Sequence, residues 1–239
     1  SSQSRGLGDV YKRQIKYGAD LIKTCSTGGV LSKGTKVGAP QYTIEELTAL
    51  VDEAHSRGLK VASHAHGAEG IINALIAGAD TIEHASFIDD EGIRLAIEND
   101  AALSMDIYVT EYILGEGASA GILEESLEKE RMTGATQRSN FRKAVEAGAT
   151  IVYGTDAGVY PHGQNAKQLS RMTRFGMTPL QALQSATTVA ADVLGLGYEV
   201  GKIEAGYAAD FVAVEGNPIE QIELLESPSA VIKGGVRYR

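Results

Sequence analysis

Four times along this chain a helix ends on glycine and a short apolar strand follows. Each of those strands stops at a residue able to bind a metal. Tyr17-Gly-Ala-Asp-Leu-Ile leads to Lys23, and Arg57-Gly-Leu-Lys-Val-Ala-Ser leads to His64. Ala77-Gly-Ala-Asp-Thr-Ile-Glu leads to His84, and Ala147-Gly-Ala-Thr-Ile-Val-Tyr-Gly-Thr leads to Asp156. A repeated β/α unit with turns this short calls for a parallel sheet. The brief, β-branched strands suit burial on both faces. When parallel strands close into a barrel, their C-terminal ends meet at one face, where active sites form. Lys, His, His and Asp brought to such a face describe a metal centre that activates water.

The remaining elements follow from local signals. Strands are expected at Leu21–Thr24, Lys60–His64, Thr81–Glu83, Ala102–Asp106 and Thr150–Thr155. Thr43-Ile-Glu-Glu46 is a capping box opening a helix to about His55. Helices are expected over Ala68–Ile76, Asp89–Asn99 and Asn165–Phe175, and a long polar helix or a helix pair over about Leu123–Glu146. Thr178-Pro-Leu-Gln181 opens another, with proline at its favoured first position, reaching about Leu194. After about Tyr198, glycine turns separate short strands, the pattern of a small β-structured appendix. Residues 1–14 show neither helical nor strand periodicity and read as a non-native read-through segment. Residues 15–198 then form the five β/α units, and residues 199–239 the strands of a small β domain.

The overall charge narrows the partners. A formal net charge of −9 and an isoelectric point near 5.1 argue against a nucleic-acid binder, which would show a basic face. No apolar run approaches the length of a transmembrane helix, so no membrane partner is expected. The single cysteine, Cys25, excludes an internal disulfide framework and a cysteine-rich zinc site; it is expected to be buried rather than reactive. A cytoplasmic location, a small-molecule substrate and self-association into a homo-oligomer complete the expectation.

Each chemistry-bearing residue has an ordinary reading beside the functional one. His64 and His66 alternate along one strand end, so both can point to one face; alternatively they are polar residues near a strand terminus. Glu83 and His84 point to opposite faces of a regular strand. His84 is chosen for the site, since imidazole is a common metal ligand, and Glu83 is placed between strand and helix or behind the ligands. Lys23 in an apolar strand is costly to bury. It either snorkels to solvent, reacts with CO2 to a carbamate that bridges two metals, or forms a Schiff base. Asp156 either binds metal and takes a proton from water or caps a helix. Tyr160 and His162 lie on the following loop, where barrels hold substrate-recognition groups. Gly28-Gly29 lacks the Lys-Ser/Thr of a phosphate loop and reads as a tight turn. The acidic stretch Glu124–Glu130 reads as a solvated helix face.

Together these segments resemble the amidohydrolase superfamily, in its prolidase-like and imidazolonepropionase-like branch. The matching pieces are Ile22-Lys-Thr-Cys-Ser-Thr-Gly-Gly-Val30, Ser63-His-Ala-His-Gly67, Ile82-Glu-His-Ala85 and Gly154-Thr-Asp-Ala-Gly158. Thr178-Pro-Leu-Gln-Ala-Leu183, Gly201-Lys-Ile, Gly206-Tyr-Ala-Ala-Asp210 and Gly216-Asn-Pro218 extend the match toward the C-terminus. The resemblance implies a (β/α)8 barrel, of which this chain carries the last five units, and the C-terminal part of a small β-sandwich. It implies hydrolysis of an amide, dipeptide, Xaa-Pro or cyclic C–N bond by zinc-activated water. Lys23 resembles the carboxylated lysine that bridges two zinc ions, His64 and His84 resemble ligands of one zinc, and Asp156 resembles the remaining ligand and proton acceptor. His66, Tyr160 and His162 would face the substrate. The family's His-x-His pair precedes its lysine, whereas His64-Ala-His66 follows Lys23. An N-terminally truncated, inactive fragment and a Schiff-base lyase using Lys23 are the alternative expectations.

Overall fold

The computed structural model describes residues 12, 13 and 15–239. Most of segment 1–14 therefore lies outside the described residues; Lys12 and Arg13 are helical, contrary to the expectation for that stretch. Four parallel strands form one sheet in sequence order: β1 (Leu21–Cys25), β2 (Lys60–Ala65), β3 (Thr81–His84) and β4 (Ala102–Ser104). Helices α1 (Ile44–His55), α2 (Ala68–Ile76) and α3 (Asp90–Glu98) make the crossovers. They are followed by α4 (Val109–Gly115), the 23-residue α5 (Glu124–Glu146), α6 (Lys167–Arg174), α7 (Pro179–Ser185) and α8 (Thr188–Val193). A separate antiparallel sheet joins β5 (Phe211–Ala213), β6 (Ala230–Lys233) and β7 (Val236–Arg237). The β6–β7 hairpin turns on Gly234 and Gly235, both at positive φ, which a two-residue primed turn requires.

Strand alternation divides the parallel sheet into two faces. Ile22, Val61, Ile82 and Leu103 are fully buried against the crossover helices, where Leu47, Leu50, Ile71 and Leu75 complete the core. The opposite face carries Cys25, His64, Glu83 and Ser104 in line across the four strands. Below that row, Lys60, Ala62 and Thr81, with Glu83 above them, line a cavity of 740 Å³ together with Tyr153 and Leu194. Cys25 is therefore exposed, not buried as expected.

The capping box at Thr43 is present: the Glu46 amide donates to the Thr43 hydroxyl (3.2 Å), and the Thr43 amide donates to the Glu46 carboxylate (3.0 Å). Thr178 and Gln181 make a second box around Pro179. The expected continuous helix from Thr178 to Leu194 divides in two, because Thr187 leaves helical geometry and its hydroxyl donates back to the Leu183 carbonyl. The expected fifth strand shrinks to a single parallel bridge, Leu103 to Ile151. The Leu103 amide donates to the Thr150 carbonyl and the Val152 amide to the Leu103 carbonyl; the Tyr153 amide, on the other side of the segment, donates to the Ser185 carbonyl at the end of α7.

Candidate metal centre

Three imidazoles meet beyond the C-terminal ends of β2 and β3. The His64 and His66 ring centroids lie 4.8 Å apart, His64 and His84 4.6 Å, and His66 and His84 4.7 Å. Ligand-capable atoms of His64, His66 and His84 all fall within 4.8 Å of one another, as do those of His84, Asp106 and Asp156. These residues line one cavity of 170 Å³.

The backbone delivers them by an irregular route. In register, His84 pairs with Ala65, which faces the helix layer. Regular alternation would bury the imidazole there. Instead His84 and Ala85 take φ of +69° and +46°, in the left-handed region that side chains disfavour. The turn brings His84 to the other two rings. Glu83 stays on the face it shares with His64, so it does not lie between strand and helix as expected; it accepts a hydrogen bond from the Thr81 hydroxyl at 2.6 Å. Asp156 also has positive φ, +50°. Of the four non-glycine residues with positive φ among the described residues, three are therefore at this site, where stored strain concentrates.

Polar contacts fix the ligands in orientation. The His66 ring nitrogen Nδ1 pairs with the Ser86 hydroxyl (2.8 Å), and the His66 amide donates to the Thr27 hydroxyl (2.9 Å). Asp106, at 4% exposure, pairs with His84 Nδ1 at 2.9 Å. The Gln137 side chain on α5 donates to the His84 carbonyl (3.0 Å) and to the same Asp106 oxygen (3.2 Å). Gln168 on α6 holds the loop that carries Asp106. Its amide donates to the Met105 carbonyl (2.7 Å) and accepts from the Tyr108 amide (2.8 Å). Gly28 and Gly29 are close-approach glycines: a Cβ on Gly29 would stand 3.0 Å from the His64 ring.

The electrostatics sort the imidazoles. Burial, reinforced by the charges of His84 and Lys23, pushes His64 down to about 4. Burial, with the neighbouring imidazoles, holds His66 well below the ordinary histidine range. Both shifts favour the neutral ring, which has a lone pair to donate. Burial also acts downward on His84, but the Asp106 carboxylate and its hydrogen bond outweigh it, and the net displacement is upward. Asp106 is held below its usual range, because the His84 charge overcomes the burial that would raise it. Burial and the like charge of Asp106 raise Asp156.

Lys23 lies on the same sheet face as His64, and its charge acts on His64, His84 and Asp156. The side chain is exposed. Tyr160 is buried in an aromatic cluster with Tyr108 and Tyr112 instead of lining the cavity. Burial raises its hydroxyl to about 12. His162 is exposed on the loop beyond and is not brought to the cavity. Sequence reasoning missed Asp106, although it closes the expected strand Ala102–Asp106; the observed strand stops two residues earlier, at Ser104. It also misjudged the stretch Glu124–Glu130: Lys129 and Glu130 are buried, and Glu130 lines the cavity with Thr133 and Gln137.

Comparison with known proteins agrees with this arrangement. Residues 5–237 match the amidohydrolase family profile. Ochratoxinase of Aspergillus niger is 35% identical over 233 residues, covering 95% of this chain and 48% of the relative. Imidazolonepropionase of Geobacillus sp. is 27% identical over 179 residues, covering 72% of this chain and 37% of the relative. A crystal structure of a Xaa-Pro dipeptidase with methionine bound in its active site superposes with a TM-score of 0.93 at 41% identity, covering 99% of this chain and 58% of that one. The chain spans about half the length of the curated ochratoxinase it matches. By its profile, its relatives and the fold they share, this chain belongs to the amidohydrolase family.

Proposed function

We propose that the protein hydrolyses an amide bond in a small substrate, a dipeptide or related amino-acid amide, with metal-activated water. The observation that carries this reading is the convergence of His64, His66, His84 and Asp156 on one cavity, with Lys23 on the adjoining strand. Similarity to ochratoxinase and to a Xaa-Pro dipeptidase supports amide hydrolysis. Methionine in the active site of that dipeptidase favours a substrate of amino-acid dimensions.

The donor set fits a metal. His64 and His66 are held neutral, and the Asp106 carboxylate occupies Nδ1 of His84, leaving Nε2 to face an ion. A ligand imidazole backed by a carboxylate is the usual outer arrangement of a metal site. Imidazole and carboxylate together suit zinc. His64, His84 and Asp156 would hold it, and Lys23, converted to a carbamate, would bridge to a second ion. When bound, the metal supplies Lewis acidity and lowers the pKa of water.

The chain's own groups do the rest. Asp156 accepts the proton from water at a carboxylate oxygen and delivers it to the leaving nitrogen. Its raised pKa brings it closer to the working range of a proton carrier. Asp106 and Gln137 hold the His84 ring in one orientation. In the same reading, residues 15–198 are the last five units of a (β/α)8 barrel and residues 199–239 belong to a small β-sandwich. The exposed sheet face beside Glu83 is then the inner wall of that barrel.

The test is an amide-cleavage assay on the zinc-loaded chain, using Xaa-Pro dipeptides and N-acyl amino acids. Amine release that disappears with a chelator and with Asp156→Asn supports the reading. A chain that binds zinc and releases no amine contradicts it.

A further inference from the structure

Helix α5 turns a polar face toward the cavity. Glu130, Thr133 and Gln137 fall at i, i+3 and i+7, and all three line it. Gln137 is accounted for by its bonds to His84 and Asp106. Glu130 meets the Thr110 hydroxyl but has no cation beside it. It is 4% exposed, and a carboxylate so buried is normally paired. The cations nearest to it along the helix are engaged elsewhere. Lys129 donates to the Ser32 carbonyl (2.8 Å) and the Glu125 carboxylate (2.7 Å). Arg138 donates to the Ile107 carbonyl and pairs with Glu111 at 3.6 Å; its Nε makes no hydrogen bond, and its charge acts on Glu130 from beyond ion-pair distance. Among the described residues, no cation lies within ion-pair distance of Glu130.

The same cavity offers Val30, Leu31, Val109 and Ile113 as apolar lining, and it holds the imidazole cluster. A ligand there meets hydrocarbon, a buried carboxyl with no cation beside it and the candidate metal ligands together. We propose that Glu130 receives a cationic group of the substrate, an ammonium or guanidinium, while the apolar residues receive its hydrocarbon part. This rests on the amide-hydrolase reading above and narrows its substrate class to amides that carry a positive charge. A cation arriving at Glu130 forms a charge-assisted hydrogen bond with a group already stripped of water. Burial, together with the like charge of Asp106, pushes this carboxyl up to about 7, and a cation placed beside it favours the charged form. The cation has two sources: the free amino terminus of a dipeptide, or a lysine or arginine side chain.

Titration calorimetry on the zinc-loaded chain at neutral pH separates these sources with three probes. L-Leucinamide carries a free α-amine, Nα-acetyl-L-lysinamide carries a side-chain ammonium, and N-acetyl-L-leucinamide carries no charge. At least one cation is expected to bind about tenfold or more tighter than the neutral probe. Glu130→Gln is expected to abolish that preference and leave the neutral probe's affinity in place. Glu130→Asp, which keeps the charge one methylene shorter, should retain part of it, and melting curves establish that both variants fold. The tighter of the two cations identifies the source. Equal binding of all three probes, a preference that survives Glu130→Gln, or no binding of any probe overturns the assignment. Failure of the hydrolase reading looks different: the charge preference persists, but the zinc-loaded chain cleaves no amide.

Discussion

The backbone at His84 and Ala85 occupies a region that costs roughly 1–3 kcal/mol per non-glycine residue. That cost is met where the imidazole must leave its strand face to join His64 and His66. What keeps it there is Asp106, through the 2.9 Å contact to Nδ1. Asp106→Asn keeps the shape and removes the charge, and zinc affinity should fall about 10–100-fold, read by competition with a chromophoric chelator. Unchanged affinity would show that Asp106 does not support the ligand. Glu130 makes a separate prediction about pH. Its folded pKa of about 7 lies above the ordinary value of 4.5, so the folded chain holds this proton more tightly than the unfolded chain. Stability from this group is therefore full below about 4.5 and declines as pH rises through about 7, by ~3 kcal/mol at most. Denaturant melts of the wild type and Glu130→Gln across this window should show a slope in their difference. Parallel curves would remove Glu130 as its cause.

Elements that are held by local chemistry were legible from sequence. The Thr43 capping box and the glycine stop at Gly58 bounded α1, and the β-branched runs located β1, β2 and β3. Elements set by distant partners were not. The run after Thr150 has strand composition, yet it makes one bridge to β4, and on its other side the Tyr153 amide finds the end of a helix, Ser185, instead of a strand. Helix α5 has so many polar residues that a solvated face was the natural reading. Lys129, Glu130, Thr133 and Gln137 are nevertheless buried, because they line a cavity or bond to loops far away in sequence. His64, His84 and Asp156 were found because each ends an apolar strand; Asp106 also ends the expected strand Ala102–Asp106 and was passed over, because no glycine-ended helix of the repeated unit precedes that strand. Gln168 belongs to the same hidden class, fully buried and spanning Met105 and Tyr108 on either side of Asp106. Gln168→Leu should leave that carbonyl and amide unpaired at a cost of roughly 2–4 kcal/mol. For a chain of this size the melting temperature should fall roughly 5–15 °C, with zinc affinity falling alongside it. A melt within a degree or two of the wild type would mean that the loop does not depend on the clamp.

At the scale of the whole molecule, four parallel strands and their crossover helices put widely separated residues at one end of the sheet. The separate antiparallel sheet contributes nothing to that cavity among its lining residues. A folded chain that binds metal through preformed ligands gains stability by mass action, so zinc should raise the melting temperature with the logarithm of its concentration relative to Kd. The most direct measurement is zinc stoichiometry and affinity for the purified chain beside His64→Ala and His84→Ala. At least one tightly held zinc per chain, lost in both variants, is the predicted result. A chain that retains no zinc, or that holds it equally well without His64 and His84, would contradict the metal centre on which the functional reading stands.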